Sequence, residues 1–346
     1  MGSGTGYLLK PAPSDGPGAG TFDGFDSVRK RVENSTPPAR VIRPPALRAG
    51  AGIALVAPAG PLAPEAVDRA LERVRGWGWE PLLAPHARGR SGYFSGTDLE
   101  RSADFNDALR DPRVDAIWCL RGGYGTMRIM SEIDWAVLAA RPRPIIGFSD
   151  NTALHLAIQR RGIVSLHAPH PAAADFPVFS ADLLRDALTI PEPAGLLPFP
   201  SGDPGPGTTV TGGVAEGPLV GGNLSLLAAT LATSVALRPE GAILFLEEIG
   251  EPGYRIDRLL TQLRLAGTLK HVAGIAVGAI SDAPSETAGT PSTAEIIRDR
   301  LGDLGVPVAM GFPFGHVPEN WTLPLGVRAK LDADAGTLTL LESAVE

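Results

Sequence analysis

Short apolar runs alternate with amphipathic helical patterns through the first half of this chain. The run Ile53-Ala54-Leu55-Val56-Ala57 is closed by Pro58 and Gly60, a pattern typical of a buried parallel strand. Apolar residues then recur every three or four positions over residues 64–77, which predicts a helix. Further strands are predicted at 82–83, 114–120 and 144–147, and further helices at 98–109, within 127–138 and at 151–161. Strands and helices that alternate at this spacing favour a parallel sheet with right-handed crossovers.

The middle of the chain breaks this pattern. A chain of 346 residues is long enough for two domains, and Pro, Gly and Ser interrupt it over residues 176–211, where we predict a linker. The linker would join an amino-terminal α/β domain, residues 48–175, to a carboxyl-terminal mixed α/β domain, residues 212–346. Residues 1–47 are rich in Gly, Pro and Ser and are expected to form a disordered extension. Predicted elements of the second domain are helices at 224–231, 255–265 and 293–301 and strands at 242–247, 275–280, 306–310 and 338–341.

Charge and cysteine content exclude several classes of function. The net charge is -7 and no run of five Lys or Arg occurs, so nucleic acid is not an expected partner. Cys119 is the only cysteine, which forbids an intrachain disulfide and suits a reducing compartment. No opening apolar stretch has signal-peptide length, and none reaches the roughly 20 residues of a membrane span. We therefore expect a cytoplasmic protein without a membrane partner.

A serine stands where the predicted strand at 144–147 passes into the next helix. In Gly147-Phe148-Ser149-Asp150 the hydroxyl would lie at the carboxyl edge of the sheet, where open α/β folds bind their ligands. The local sequence alone favours a simpler interpretation, because Ser and Asp are common helix caps. A nucleophilic serine would also need a base, and the base would need an acceptor to orient it.

His316 and Glu247 are the candidates for those two roles. His316 follows a strand on a turn rich in Gly and Pro, and Glu247 ends the strongest apolar strand of the second half. Each also has an ordinary interpretation. An isolated histidine is often structural, and the acidic cluster of Glu247, Glu248 and Glu251 suits a solvated turn. Their placement in three dimensions has to separate these alternatives.

Two glycine-rich turns and a histidine pair carry weaker signals. The turn at 121–125, RGGYG, could supply an oxyanion N–H, but it lacks the Lys and Ser/Thr of a phosphate-binding loop. The turn at 221–223, GGN, suits a tight turn as well as a substrate contact. The segment at 167–170, HAPH, offers too few ligands for zinc, and its proline prevents the helical spacing of a zinc pair. No metal site is predicted, and Cys119, inside an apolar strand, is expected to be inert.

Six segments in this order resemble the LD-carboxypeptidase family of serine peptidases, which includes muramoyltetrapeptide carboxypeptidase and the microcin C immunity peptidases. The segments are IALVAPAG at 53–60, DPRVDAIWCLRGGYG at 111–125, IGFSDNT at 146–152, LVGGNL at 219–224, LFLEEIGEPGYRIDR at 244–258 and GHVPENWTLPLG at 315–326. Together they span nearly the whole chain beyond residue 44.

The resemblance implies Ser149 as the nucleophile, His316 as the general base and Glu247 as the carboxylate that orients His316. It also implies an oxyanion hole made of the backbone N–H groups of Gly123 and Asp150. An amino-terminal α/β domain would carry the serine and a carboxyl-terminal domain the Glu and His, so the site would form at their interface. The family needs neither metal nor organic cofactor, and its members are commonly homodimers.

The carboxypeptidase members cleave the bond between an L-centre and a terminal D-amino acid, so the resemblance implies a small peptide such as murein tetrapeptide as substrate. Its carboxylate requires a polar or cationic partner, for which Arg121 and Arg255 are the candidates. Asn223 and Asn320 are expected to organise the pocket. Trp321 would suit a nucleotide, which the microcin-type members bind, because an aromatic ring can stack on a base. Packing in the core is the equally favoured interpretation of this ring.

Two departures from the family pattern lie near the expected cleft. Asn151 follows the Ser-Asp pair where an apolar residue is usual, and His167-Ala168-Pro169 replaces His-Gly-Pro. Both leave the triad intact but weaken the inference to murein. The leading hypothesis is release of D-alanine from cytoplasmic murein tetrapeptide during wall recycling. The alternatives are cleavage of an amide in a peptide antibiotic or peptidyl nucleotide, and a catalytically silent protein that binds a peptide.

Overall fold

A parallel sheet with helical crossovers forms the first half of the protein in a computed structural model, which describes residues 41–202, 205–283 and 289–346. The strands are β1 (Gly52–Val56), β2 (Glu80–Leu83), β3 (Ala116–Cys119), β4 (Ile145–Gly147) and β5 (Ser165–His167). The helices between them are α1 (Pro64–Gly76), α2 (Asp98–Arg110), α3 (Trp135–Ala140) and α4 (Thr152–Gln159). The strands lie in the order β2-β1-β3-β4-β5 and all pair in parallel, so the predicted α/β architecture is confirmed.

Burial on both faces explains why these strands read as continuous apolar runs. Every residue of β1 is buried, because helices cover the sheet on either side. Helix α1 contributes one apolar stripe, with Val67, Ala70 and Val74 buried. Helix α2 begins at a capping box in which Thr97 and Glu100 satisfy each other's backbone N–H groups.

A sixth strand from the far end of the chain completes this sheet. Strand β12 (Leu323–Leu325) pairs antiparallel with β5, and Leu323 lies opposite His167. This strand was not predicted, because three residues around Pro324 give no periodic signal. The pairing ties the segment that follows His316 to the sheet that carries Ser149.

A second sheet of eight strands forms the other half and is mixed, as predicted. Its strands lie in the order β6-β14-β13-β8-β9-β10-β11-β7, with β8 to β11 parallel and the outer strands antiparallel. Their bounds are β6 (Gly195–Leu196), β7 (Thr208–Thr211), β8 (Val214–Asn223), β9 (Ile243–Ile249), β10 (Gly274–Ser281), β11 (Val308–Met310), β13 (Arg328–Asp332) and β14 (Thr337–Leu340). Helices α6 (Leu224–Ala229), α7 (Gly253–Leu265) and α8 (Thr293–Leu301) cover it.

The segments predicted as linker and extension contain more structure than their composition indicates. Residues 176–211 include helix α5 (Val178–Thr189) as well as β6 and β7. Residues 41–47 pack against the body of the protein, with backbone N–H groups of Ile42 and Leu47 bonded to Gly162 and Leu188. The rest of the predicted extension, residues 1–40, lies outside the described residues. The division into domains stays a prediction, since all described residues belong to one compact unit.

The two halves meet where helix α4 leaves the first sheet. Leu156 of α4 is buried in the apolar core of the second half. At the end of β8, the backbone N–H of Asn223 donates to the Thr152 hydroxyl at 3.1 Å. The start of α4 therefore lies against the carboxyl edge of the second sheet. None of the described helices is both long and apolar enough to span a membrane.

Candidate active site

Ser149 occupies a strained turn between β4 and α4. Its φ is 61°, in the left-handed region that residues other than glycine rarely adopt. The turn carries no side-chain cap at Phe148 or Asn151, and the Ser149 hydroxyl has no hydrogen-bond partner among the described residues. The cap interpretation that the local sequence favours is therefore wrong. A sharp strand-to-helix turn with an unpaired, partly exposed hydroxyl is the arrangement that nucleophilic serines use.

The glycine turn after β3 lies directly against this serine. A Cβ placed on Gly122 would lie 2.9 Å from Cβ and 3.0 Å from Oγ of Ser149, and 3.2 Å from the backbone N of Asp150. Only glycine permits this approach. Gly123 follows with a φ of 105°, and neither its N–H nor that of Asp150 donates to another described residue. Both predicted oxyanion donors are thus unpaired at the turn that carries the serine.

His316 is bonded to Glu247, as the sequence predicts for a base and its orienting acid. Nδ1 of His316 lies 2.7 Å from Oε2 of Glu247. The carboxylate is fully buried inside β9, which continues to Ile249 and does not end at Glu247 as predicted, whereas the imidazole keeps 16% of its side chain exposed. Burial raises the pKa of Glu247, and the neighbouring His316 opposes that shift. An ionised Glu247 would hold Nδ1 as a donor and leave Nε2 as an acceptor.

Gly315 makes the contact between these two residues possible. Its φ is 103°, and a Cβ there would lie 2.6 Å from Cβ of Glu247. Asn320 fixes the same turn, since its amide accepts from the Gly315 N–H at 3.2 Å and donates to the Gly315 carbonyl at 2.7 Å. The N–H of Asn320 in turn donates to the Ser180 hydroxyl on α5 at 2.7 Å. Asn320 is 1% exposed. Its side chain therefore holds the turn that carries His316, and little of it is accessible to a substrate.

The imidazole of His316 packs beside the serine turn. Its ring centroid lies 4.7 Å from that of Phe148, the residue before Ser149. No hydrogen bond joins His316 to Ser149 within the described part of the chain. Contacts between nucleophile and base are often long before substrate binds, so the direct transfer stays a prediction.

Arg121 lies beside this site at the mouth of a cavity of about 320 Å³. It also donates to the Pro61 carbonyl at 2.8 Å and remains exposed. Phe148 and Val317, the neighbours of Ser149 and His316, line the same cavity. A cation next to the nucleophile turn suits the carboxylate role predicted for Arg121.

The other three predicted residues do not line this cavity, although Asn223 lies opposite Glu247 on the neighbouring strand β8. Asn223 caps α6 by accepting from the Leu226 N–H and donates to the buried Glu248 at 2.9 Å. Arg255 is exposed and paired with Glu251 at 3.1 Å, and it does not line the cavity. The stacking role expected of Trp321 is wrong, because its ring is fully buried and its indole N–H donates to the Pro198 carbonyl.

Cys119 is no nucleophile in this fold. It is fully buried at the end of β3, and burial raises the pKa of its thiol. A thiolate is therefore disfavoured, in agreement with the inert role expected from the sequence.

A group of buried histidines lies behind the serine turn, a placement that the HAPH segment at 167–170 did not predict. His170 contacts Phe148 and Asn151, with Nε2 lying 3.4 Å from the Phe148 N and 3.1 Å from Oδ1 of Asn151. His155 is bonded to the Gly147 carbonyl at 2.8 Å. Both ring nitrogens of the buried His167 lack partners among the described residues. The sequence signals for this group were the HAPH segment and the two departures from the family pattern at 151 and 167–169.

Comparison with known proteins agrees with this geometry. Residues 53–168 match the model of the LD-carboxypeptidase N-terminal domain, and residues 216–331 match that of the C-terminal domain. The chain belongs to the LD-carboxypeptidase family. Ser149 falls in the first match, and Glu247 and His316 fall in the second.

The similarity extends to whole proteins of this family. A Streptomyces coelicolor protein named as a carboxypeptidase is 44% identical over 87% of this chain and 96% of its own length. The murein tetrapeptide carboxypeptidase of Pseudomonas aeruginosa is 33% identical over 82% of this chain and 93% of its own. The crystal structure of muramoyltetrapeptide carboxypeptidase from Oxalobacter formigenes has a TM-score of 0.72 and 31% identity, covering 84% of this chain and 97% of that one. The microcin C7 immunity protein shares the fold, with a TM-score of 0.79 at 23% identity over 88% of this chain and 99% of its own.

Proposed function

We propose that this protein is a serine carboxypeptidase that releases the terminal D-alanine from murein tetrapeptide in the cytoplasm. The observation that carries the proposal is the bonded pair of His316 and buried Glu247 next to the strained turn of Ser149. Relatives at 33% and 31% identity that cover most of this chain are named for that substrate. We expect the enzyme to act as a homodimer.

The chemistry is an acyl transfer in two halves. Ser149 Oγ attacks the carbonyl carbon of the scissile bond while Nε2 of His316 takes the hydroxyl proton. The tetrahedral oxyanion would accept from the N–H groups of Gly123 and Asp150. When the C–N bond breaks, His316 returns the proton to the leaving amine and D-alanine departs. Water then attacks the Ser149 ester, His316 takes and returns its proton, and the tripeptide leaves with a free carboxylate.

Each assigned residue has a feature that suits its step. Glu247 is fully buried, so it can hold His316 in one tautomer and stabilise the imidazolium that forms. The backbone N of Asp150 would lie 3.2 Å from a Cβ on Gly122, and Gly123 is the next residue of the same glycine turn. Arg121 is the candidate for the substrate carboxylate because it lines the adjoining cavity.

The alternative of a peptidyl nucleotide substrate loses its main support in this chain. It rested on an aromatic ring beside His316 that could stack on a base, and Trp321 instead packs against Phe199 and Phe312. The likeness to the microcin C7 immunity structures remains one of fold.

The test is to incubate the native protein and Ser149→Ala with L-Ala-D-Glu-meso-diaminopimelate-D-Ala and to measure free D-alanine. We expect release by the native protein and its loss in the variant. Ser131→Ala is the matched control, because Ser131 is exposed and bonded to its neighbour Glu132. Equal release by native protein and Ser149→Ala would exclude Ser149 as the nucleophile.

A fluorophosphonate probe distinguishes two reasons for a failure to release D-alanine: an enzyme that acts on a different peptide, and a catalytically silent protein. We expect it to label native protein and Ser131→Ala on Ser149, whatever the natural peptide. Absence of labelling together with absence of D-alanine release would favour the peptide-binding alternative.

A further inference from the structure

The cavity beside Ser149 and His316 is larger than a D-alanine side chain needs. Its volume of about 320 Å³ corresponds to roughly ten water molecules at about 30 Å³ each. That size lies at the lower end of the range for ligand pockets. A single methyl group would leave most of this space empty.

Apolar side chains form most of the cavity wall. Leu62 contributes from the loop before α1, Ala66 from the first turn of α1, and Ala172 and Phe176 from the segment that follows β5. Phe176 packs against Trp118 of the core, with ring centroids 6.1 Å apart. This wall therefore belongs to the rigid part of the first half.

The polar side chains deep in the cavity are already bonded within the protein. Asn320 holds the Gly315 backbone, Ser180 accepts from the Asn320 N–H, and His170 contacts Asn151. The charged residues of the lining, Arg121 and Asp175, are both exposed. A ligand in this cavity would thus meet charge at the mouth and apolar surface inside.

We infer that this cavity receives the side chain of the leaving residue and favours apolar D-residues larger than alanine. The inference rests on the proposed function, in which Arg121 binds the terminal carboxylate. In a carboxypeptidase substrate the leaving residue alone carries that carboxylate, so carboxylate and side chain would share one cavity. Val317 and Pro318, which follow the general base, also line it, and the base returns its proton to the leaving amine.

The experiment compares tetrapeptides L-Ala-D-Glu-meso-diaminopimelate-D-X with X as Ala, Leu, Met or Asn. D-Leu and D-Asn are similar in size, so their comparison isolates the apolar character of the cavity. We expect kcat/KM for D-Leu and D-Met to equal or exceed that for D-Ala, and to exceed that for D-Asn at least about tenfold. A D-Ala value at least tenfold above all the larger residues, or equal values for D-Leu and D-Asn, would overturn the inference.

Filling the cavity provides a second test. Ala66→Leu on α1 should lower the ratio of kcat/KM for D-Leu to that for D-Ala about tenfold. Ala63→Leu, at an exposed position of the same lining, should lower the ratio in the same direction if Ala66→Leu folds poorly. Ala174→Leu, exposed and outside the lining, should leave the ratio unchanged. An unchanged ratio in both cavity variants would also overturn the inference, whereas no Ser149-dependent hydrolysis of any peptide would refute the proposed function itself.

Discussion

Oε2 of Glu247 and Nδ1 of His316 lie 2.7 Å apart although 69 residues separate them in the chain. Glu248, the next residue of β9, is also buried, but it accepts from Asn223, Ser225 and its own strand instead. Neighbouring residues of a strand point to opposite faces. Glu247 on one face of β9 therefore contacts the candidate site, and Glu248 on the other face binds the start of α6.

This division predicts opposite effects of the same substitution at two adjacent positions. Glu247→Gln should lower kcat about 10²–10⁴-fold, because His316 loses the acceptor that fixes its tautomer. The melting temperature should stay close to that of the native protein, since a buried carboxylate is replaced by a neutral amide of the same shape. Steady-state kinetics and calorimetry would measure the two effects.

Glu248→Gln is the matched comparison. It removes the charged acceptor of two hydrogen bonds at α6, so the melting temperature should fall while kcat changes less than in Glu247→Gln. A larger loss of kcat in Glu248→Gln than in Glu247→Gln would contradict the assigned role of Glu247.

Glycine should be required at position 315 for two reasons. A side chain there would collide with Glu247, and the backbone has a positive φ that other residues rarely adopt. Gly315→Ala would place a Cβ 2.6 Å from that of Glu247, whereas Gly311, with a φ of 90°, has no atom within 4 Å of such a Cβ. Gly311→Ala should therefore lower the unfolding free energy only by the cost of holding alanine in a left-handed backbone conformation, about 1–2 kcal/mol. Gly315→Ala should cost more and reduce D-alanine release at least about 100-fold. Urea unfolding would measure the stability of both variants, and the D-alanine assay would measure their activity. Equal losses in the two variants would contradict the role assigned to Gly315.

Acid should destabilise the fold through the buried histidines. Burial lowers the pKa of His155 to about 4 and that of His170 to about 3, and it lowers the pKa of His167 strongly. The unfolded chain binds these protons near pH 6.5 and the folded protein does not, so stability is intact above pH 6.5 and falls below it. Each histidine should remove about 1.4 kcal/mol of unfolding free energy per pH unit between roughly pH 6 and 4.

Urea unfolding at pH 7.5, 6, 5 and 4.5 would measure this slope. His167→Leu should reduce it by about one third, since one of the three groups is removed and the His167 ring has no hydrogen bond to lose. His271→Gln is the control, because His271 is exposed. An equal slope in native protein and His167→Leu would show that His167 is not responsible.

The sequence located the candidate site better than it located the surroundings of that site. Ser149 lies two residues beyond β4, Glu247 two residues before the end of β9 and His316 six residues beyond β11. The apolar runs of these strands are what made the three positions recognisable. Strand β12 was missed because strand pairing between distant segments leaves no periodic trace in either one. Helix α5 was missed because the prolines on both sides of it are typical of a linker. The same limit left two interpretations of Trp321 open, stacking on a ligand or packing in the core, since the burial of a ring depends on what the rest of the chain packs against it.

The contact between Asn151 and His170 should position the Ser149 turn, because both residues surround Phe148. Asn151→Leu and His170→Gln should each slow fluorophosphonate labelling of Ser149 about tenfold, with smaller changes in melting temperature. If the two residues act through one contact, the double variant should be little slower than either single one. Thr189→Val, on the exposed part of α5, should label at the native rate. Multiplicative effects in the double variant would mean that Asn151 and His170 act on Ser149 independently.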